Sequence, residues 1–196
     1  MYYLVDAIFV GWGVGANGLG GLAIIFPLQM FAIAFGMAIG TGTASITSIT
    51  LGNDRKENAM KTMMTSVLFS LSLGILLPVI LMIFKTPLIY LFGATEILNV
   101  HAEEYFNYII FGFIFIFLSF LEINTIKAKG NARFAALGMF LGTFLNVIFD
   151  PIFIFGFHMG TAGAALATVI ARMISTIILS RYYFRGESKF QLKEFY

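Results

Sequence analysis

The sequence of 196 residues contains no cysteine, only two histidines and few charged residues. Without cysteine the chain can form neither a disulfide bond nor a thiolate metal site. His101 and His158 are too far apart for the ligand spacing of a zinc motif. Charged residues make up 11% of the chain, against about 25% in a typical soluble domain. This scarcity of charge argues against a soluble enzyme, a nucleic-acid-binding module and a disordered chain.

Apolar residues dominate what is present. Hydrophobic residues account for 59% of the chain, aromatic residues for 16%, and 23 of the aromatic residues are phenylalanine. A soluble core of this size could not bury so much apolar surface, so hydrocarbon must be the solvent for most of it. The composition therefore predicts a membrane protein, and at about 20 residues per span the chain has room for five or six transmembrane helices.

Five apolar runs are long enough to cross a bilayer as helices. They cover residues 19–46, 62–84, 105–126, 134–155 and 161–184. A shorter apolar run, residues 1–10, precedes the glycine-rich residues 11–15, which we interpret as a loop. The predicted fold class is an all-α membrane protein, a polytopic bundle of five full transmembrane helices plus a truncated first helix.

The positions of the basic residues predict the orientation of the bundle. Ten of the twelve lysine and arginine residues lie in residues 51–61, in residues 127–133 and in the tail after Ser180. Alternation of the loops places these three segments on one face of the membrane, and the positive-inside rule assigns that face to the cytoplasm. We therefore predict a multi-pass protein of the plasma membrane with a cytoplasmic carboxy-terminal tail.

Pairs of glycines one helical turn apart predict close packing between helices. The pairs are Gly36 and Gly40, Gly138 and Gly142, and Gly156 and Gly160. Small residues at this spacing allow the backbones of two membrane helices to approach each other.

Four ionisable residues lie within the apolar runs, where a charge is costly and therefore marks a candidate functional site. They are Asp6, Glu122, Asp150 and Arg172. Glu122 and Arg172 both lie near the cytoplasmic side, so we expect them to extend toward water or to pair with each other.

Asp150 has the most informative surroundings. Asn146 and Asp150 are four residues apart and share one helical face, and Pro151 frees a nearby backbone carbonyl. Such an oxygen-rich cluster suits a hard cation such as Na⁺, and a carboxylate without a partner would take up a proton instead. The alternative is that Asp150 and Pro151 only terminate the helix. Asp6 lies at a matching depth in another outward-running helix, so the two carboxylates could share one cation or proton.

Several motifs resemble one transporter family. They are Asn-Val-Ile-Phe-Asp-Pro-Ile-Phe-Ile-Phe at 146–155, Gly-Thr-Ala-Gly-Ala-Ala-Leu-Ala-Thr at 160–168, Asp-Ala-Ile-Phe-Val-Gly at 6–11 and Gly-Met-Ala-Ile-Gly at 36–40. They are similar to the fifth, sixth, first and second helices, respectively, of multidrug and toxic compound extrusion (MATE) transporters. The resemblance covers nearly the whole chain.

The resemblance implies twelve helices in two six-helix lobes around a central cavity, with this chain forming most of the amino-terminal lobe. Residues 1–184 would be that lobe and residues 185–196 a cytoplasmic linker toward a missing carboxy-terminal lobe. It implies a secondary active transporter, not an enzyme, that exports drugs and organic cations in exchange for Na⁺ or H⁺ without a cofactor. The implied partners are a small-molecule substrate and the lipid bilayer, with no nucleic acid.

The resemblance also implies a cation site. Its family positions map onto Asp6, Asn146, Asp150 and Thr168, with Pro151 as the deformable point of the fifth helix. Two alternatives remain open, a flippase for lipid-linked oligosaccharides or lipids in the same superfamily and a truncated lobe without transport activity. A flippase needs a basic cavity for pyrophosphate, and the chain has almost no basic residue at mid-span. An intramembrane enzyme is disfavoured because no histidine–glutamate metal pair or serine constellation is present.

Overall fold

The computed structural model describes residues 2–184, and this part of the chain is helical with no β-strand. The predicted linker at residues 185–196 lies outside the described residues. The helices are α1 (Tyr2–Gly13), α2 (Ala16–Gly52), α3 (Lys56–Ile83), α4 (Lys85–Leu91), α5 (Glu96–Ile109), α6 (Phe113–Ala128), α7 (Ala132–Pro151) and α8 (Gly160–Phe184). A 3₁₀ turn (Ile110–Gly112) joins α5 to α6, and a π-helical turn (Ile152–Gly156) follows α7.

The predicted five full spans are confirmed. Five helical segments of the described chain are long and apolar enough to cross a membrane, namely Ala16–Gly52, Lys56–Ile83, Glu96–Ala128, Ala132–Gly156 and Gly160–Tyr183. Several of these segments extend beyond the predicted apolar runs, because the helices continue into polar residues at their ends.

The predicted loop at residues 11–15 is wrong in its extent. α1 continues through Gly11 to Gly13, and the chain turns only at Gly15, whose φ is 88°. Such a positive φ is strained for a side chain with a Cβ and easy for glycine. The earlier glycines lie in an apolar helix that retains its backbone hydrogen bonds, so they do not end it.

The centre of the bundle is the continuous segment formed by α5 and α6. The largest fully buried side chains include Tyr105, Phe106, Phe113 and Phe117, all from this segment. α2 and α8 pack against it, α7 packs on α8, and α1 contacts α2, α7 and α8. This arrangement brings the inner faces of α1, α5, α7 and α8 together around one buried region.

Two of the three glycine pairs pack as predicted. A Cβ at Gly40 would collide with the backbone of Phe120 in α6, and a Cβ at Gly142 would collide with the hydroxyl of Tyr2. The prediction is wrong for Gly156, around which a Cβ would meet open space. That glycine lies at the end of the π-helical turn, where no second helix approaches it.

Asp150 and Pro151 do not terminate their helix. The chain continues past Pro151 as the π-helical turn to Gly156 and leaves the helix only near His158, whose φ is 54°. The alternative that these residues are simply a helix end is therefore wrong. A π turn directly after a proline locally widens the helix, as expected where the proline removes a backbone donor.

Candidate functional site

A cluster of buried polar side chains joins five helices of the bundle. We refer to it as the carboxylate cluster, and its members are Asp6 from α1, Gln29 from α2, Tyr105 from α5, Asn146 and Asp150 from α7, and Thr168 from α8. Gln29 is 3% exposed and the other five are fully buried. Polar groups at such depth must satisfy each other, because neither water nor lipid can do so.

Asp6 is the centre of the carboxylate cluster. Its Oδ1 accepts hydrogen bonds from Asn146 Nδ2 at 3.1 Å and from Thr168 Oγ1 at 2.8 Å. Its Oδ2 accepts from the Tyr105 hydroxyl at 2.7 Å and lies 3.0 Å from Thr168 Oγ1. Donors from three other helices therefore converge on one buried carboxylate, the arrangement that stabilises a negative charge away from water.

Asn146 connects the two carboxylates. Its Nδ2 lies 3.1 Å from an oxygen of Asp6, 3.1 Å from an oxygen of Asp150 and 3.0 Å from Thr168 Oγ1. An amide nitrogen has two hydrogens, so only two of these three acceptors can be served at once. The structure thus places oxygens of Asp6 and Asp150 within hydrogen-bond reach of the same amide nitrogen.

The carboxylate cluster also contains oxygen atoms without partners. Asp150 Oδ2 and the amide oxygen of Asn146 are buried and accept no hydrogen bond within the described residues. Leaving a buried polar atom unsatisfied costs about 1–3 kcal/mol. These free lone pairs lie on two of the residues that the sequence marks as candidate cation ligands, so a bound cation or proton would relieve the cost.

Two members of the carboxylate cluster were missed by the sequence analysis. The Tyr105 hydroxyl donates to Asp6 and accepts from Gln29 Nε2 at 2.9 Å, so Gln29 and Tyr105 form an outer layer around Asp6. The only signal in the sequence is that each is a polar side chain within an apolar run. Nothing in a single sequence shows that Tyr105 meets Asp6, 99 residues away.

The structure therefore brings together all four sequence-predicted residues, Asp6, Asn146, Asp150 and Thr168, and places Pro151 next to them. Among residues 2–184 no group of three or more histidine, cysteine, aspartate or glutamate side chains could hold a metal ion. Two carboxylates, an amide and a hydroxyl are hard oxygen donors, which fit Na⁺ or a proton better than a transition metal.

The expectation for Glu122 and Arg172 is wrong. No ion pair joins them within residues 2–184, and they are only 7% and 8% exposed, so neither extends into water. One Glu122 oxygen accepts from the Ser180 hydroxyl at 2.5 Å, while the Arg172 guanidinium lies 4.2 Å from the centre of the Tyr2 ring. Arg172 and Ser180 are eight residues apart on α8, about 12 Å along the axis, which keeps the two charges separate.

Comparisons with known proteins agree with the fold. A family model described as MatE matches residues 1–152. The chain is 28% identical to the "Probable multidrug resistance protein YoeA" of Bacillus subtilis (strain 168) over 91% of the chain and 40% of that protein. It is 27% identical to the "Multidrug export protein MepA" of Staphylococcus haemolyticus (strain JCSC1435) over 94% of the chain and 41% of that protein.

A solved structure described as "Crystal structure of MATE in the bent conformation" superposes with a TM-score of 0.91 at 29% identity. The match covers 100% of this chain and 44% of that one. The chain thus spans less than half the length of the proteins that it resembles.

Proposed function

The chain belongs to the MatE family, and from this premise we propose that it is the amino-terminal lobe of an antiporter that exports drugs and organic cations in exchange for Na⁺ or H⁺. Residues 1–184 form the lobe, and residues 185–196 lead to a carboxy-terminal lobe that completes the transport path. The relatives that support the drug-export part of the proposal are named as multidrug resistance and multidrug export proteins.

The observation that carries the coupling part is the carboxylate cluster. Asp6 and Asp150 supply the negative charge, Asn146 an amide oxygen and Thr168 a hydroxyl oxygen for the cation. In the structure the amide nitrogen of Asn146 lies 3.1 Å from an oxygen of each carboxylate. A Na⁺ ion that binds both carboxylates would take the place of the Asn146 Nδ2 donor, so cation binding breaks the hydrogen bonds from Asn146 to Asp6 and Asp150. A proton on either carboxylate also changes this network, because the protonated oxygen becomes a donor.

The cluster can transmit this change because its members belong to five helices. Cation binding alters the contacts that hold α1 and α5 to α7 and α8. Pro151 and the π-helical turn Ile152–Gly156 directly follow Asp150, so this end of α7 can deform most easily. Coupling then follows from the different affinity of each lobe conformation for the cation and for the drug.

The proposal also covers the membrane in which the lobe lies and the orientation of the lobe in that membrane. The five spans place the lobe in the bilayer, and we propose the plasma membrane because the relatives named above are drug-export proteins. Basic residues are concentrated after α2, between α6 and α7, and after Ser180. We therefore propose that this face and the carboxy-terminal tail lie in the cytoplasm, as the positive-inside rule predicts.

The test uses Asp150→Asn in the complete transporter, expressed in cells that lack their own drug exporters. We expect loss of efflux of a fluorescent organic cation with an unchanged amount of protein in the membrane, because the variant removes one of the two site charges. Asp54→Asn is the matched control, since Asp54 is exposed and its φ of 57° suits asparagine equally well. Normal efflux by Asp150→Asn would contradict the proposal, and efflux measured against Na⁺ and pH gradients identifies the coupling ion.

A further inference from the structure

A cavity of about 490 Å³ lies between α2, α6, α7 and α8, with Tyr2 of α1 in its wall. Its volume falls within the range of about 300–1,000 Å³ that small-molecule pockets occupy. Most of its lining is apolar and includes Met37, Phe120, Ile123, Met139 and Phe140. Flexible methionine and flat phenylalanine side chains suit a hydrophobic body of variable shape.

The charged residues of this cavity are of one sign. Arg172 and Lys127 line it and no aspartate or glutamate does, so the carboxylate cluster lies outside the lining. The remaining polar lining residues are uncharged, namely Ser119, Asn124, Thr143 and Ser175. With apolar walls around it, the field of the two cations is weakly screened and favours a negative group.

Arg172 has unused binding capacity. It is 8% exposed, its Nε is buried without a hydrogen-bond partner, and within residues 2–184 it forms no ion pair. The Tyr2 ring lies 4.2 Å from the guanidinium carbon and stabilises the charge through its face. An aromatic face nevertheless leaves the in-plane N–H donors of a guanidinium unpaired. The charge of Asp6 acts on Arg172 from a distance, but no carboxylate of residues 2–184 pairs with it directly, so the cavity is the place where a directly bonded counter-charge can enter.

We propose that this cavity binds an amphipathic carboxylate, with Arg172 as the anchor for the carboxylate and the methionine and phenylalanine walls around its apolar body. Guanidinium and carboxylate match in a two-point hydrogen-bonded pair, which gives Arg172 directional selectivity as well as charge. Lys127 is exposed at the end of α6 and attracts anions toward the cavity. The inference rests on the drug-transport function proposed above and adds compounds that carry a carboxylate, including zwitterionic ones, to the organic cations proposed there as substrates.

The test compares three probes with one ring system and different charge, 2-naphthoate, 2-naphthamide and 2-naphthylmethylammonium. Binding to the full chain of 196 residues in nanodiscs of zwitterionic lipid is measured by equilibrium dialysis at pH 7.5. We expect 2-naphthoate to bind at least about 10-fold more tightly than the neutral amide, since charge-assisted hydrogen bonds are about twice as strong as neutral ones. We expect the ammonium compound to bind most weakly of the three.

Variants then assign the selectivity to the anchor. Arg172→Gln is expected to lower the affinity for 2-naphthoate at least about 10-fold, to that for 2-naphthamide. Arg172→Lys keeps the positive charge but loses the two-point pair, so it should retain only part of the preference for the anion. Thr143→Glu places an acidic group in the cavity wall and leaves Arg172 intact, so it provides a second test if the glutamine variant does not fold. We expect it to weaken 2-naphthoate binding and strengthen 2-naphthylmethylammonium binding.

Two results would overturn the inference. One is that 2-naphthylmethylammonium binds the parent chain as tightly as 2-naphthoate. The other is that a folded Arg172→Gln or Thr143→Glu variant keeps the parent's ratio of affinities. Neither result bears on the transport proposal, whose failure appears separately as normal efflux by Asp150→Asn.

Discussion

The hydrogen bonds of Tyr105 allow a quantitative test of the carboxylate cluster. Its hydroxyl donates to Asp6 at 2.7 Å, accepts from Gln29 at 2.9 Å and is completely buried. Tyr105→Phe removes both bonds and leaves the Gln29 amide without this acceptor. A hydrogen bond to a charged group contributes about 1.5–3 kcal/mol and a neutral one about 1 kcal/mol, so we expect a loss of about 2–4 kcal/mol in the free energy of unfolding.

The second arm of this test is a double-mutant cycle with Gln29→Leu. Each single variant leaves a buried partner unpaired, whereas the double variant removes both sides of the Gln29–Tyr105 bond. We therefore expect the double variant to be more stable than the sum of the single changes predicts, by about 1 kcal/mol. Additive losses would show that the two side chains do not interact in the folded protein.

The assay is unfolding in detergent, followed by circular dichroism at the helical minimum. For a domain of this size, a loss of about 2–4 kcal/mol corresponds to a melting temperature lower by about 4–16 °C. Tyr108→Phe is the matched control, because Tyr108 lies one turn later on α5 and is exposed. The reasoning is refuted if Tyr105→Phe changes the melting temperature no more than Tyr108→Phe does.

Two further predictions concern helix packing and the carboxy-terminal end of α6. Gly40→Ala places a methyl group against the Phe120 backbone and should cost about 1–3 kcal/mol. Gly42→Ala, which meets open space, should be neutral or slightly stabilising, and equal melting temperatures for the two variants would contradict the packing. Burial lowers the pKa of Lys129 to about 8. In the unfolded chain this lysine keeps its usual pKa of about 10.5, so the unfolded state binds the proton more firmly than the folded state. The free energy of unfolding should therefore rise between about pH 8 and pH 10.5. A Lys129→Met variant should lack this rise in a pH series of unfolding curves.

Much of the fold could be predicted because the membrane constrains each helix separately. A span needs about 20 apolar residues wherever it occurs, so residues 62–84 could be assigned without knowing any neighbour. The prediction of a loop over all of residues 11–15 was wrong because glycine content alone does not show where a helix ends. Glycine content describes conformational freedom, but only Gly15 takes a positive φ, and that choice depends on how α1 meets α2.

The candidate site could be predicted only in part. Asp6 and Asp150 are recognisable because a carboxylate in an apolar run is costly wherever its partner lies. Tyr105 and Gln29 could not be assigned, since an amide or phenol in a span has several ordinary explanations. For Glu122 and Arg172 the sequence suggested a contact that does not form. Their opposite charges lie at similar depth, but Glu122 contacts Ser180, which is eight residues from Arg172 along α8.

The sequence by itself determined that the protein is a membrane bundle, how many spans it has and which buried charges need an explanation. These properties follow from the cost of placing each residue in hydrocarbon, and that cost is local to the residue. Only the tertiary structure decided that the Asn146 amide nitrogen reaches both carboxylates and that Arg172 lines a cavity instead of pairing with Glu122. The partner of a buried side chain depends on the rotation and axial offset of helices far apart in the chain, which spacing within one helix does not specify.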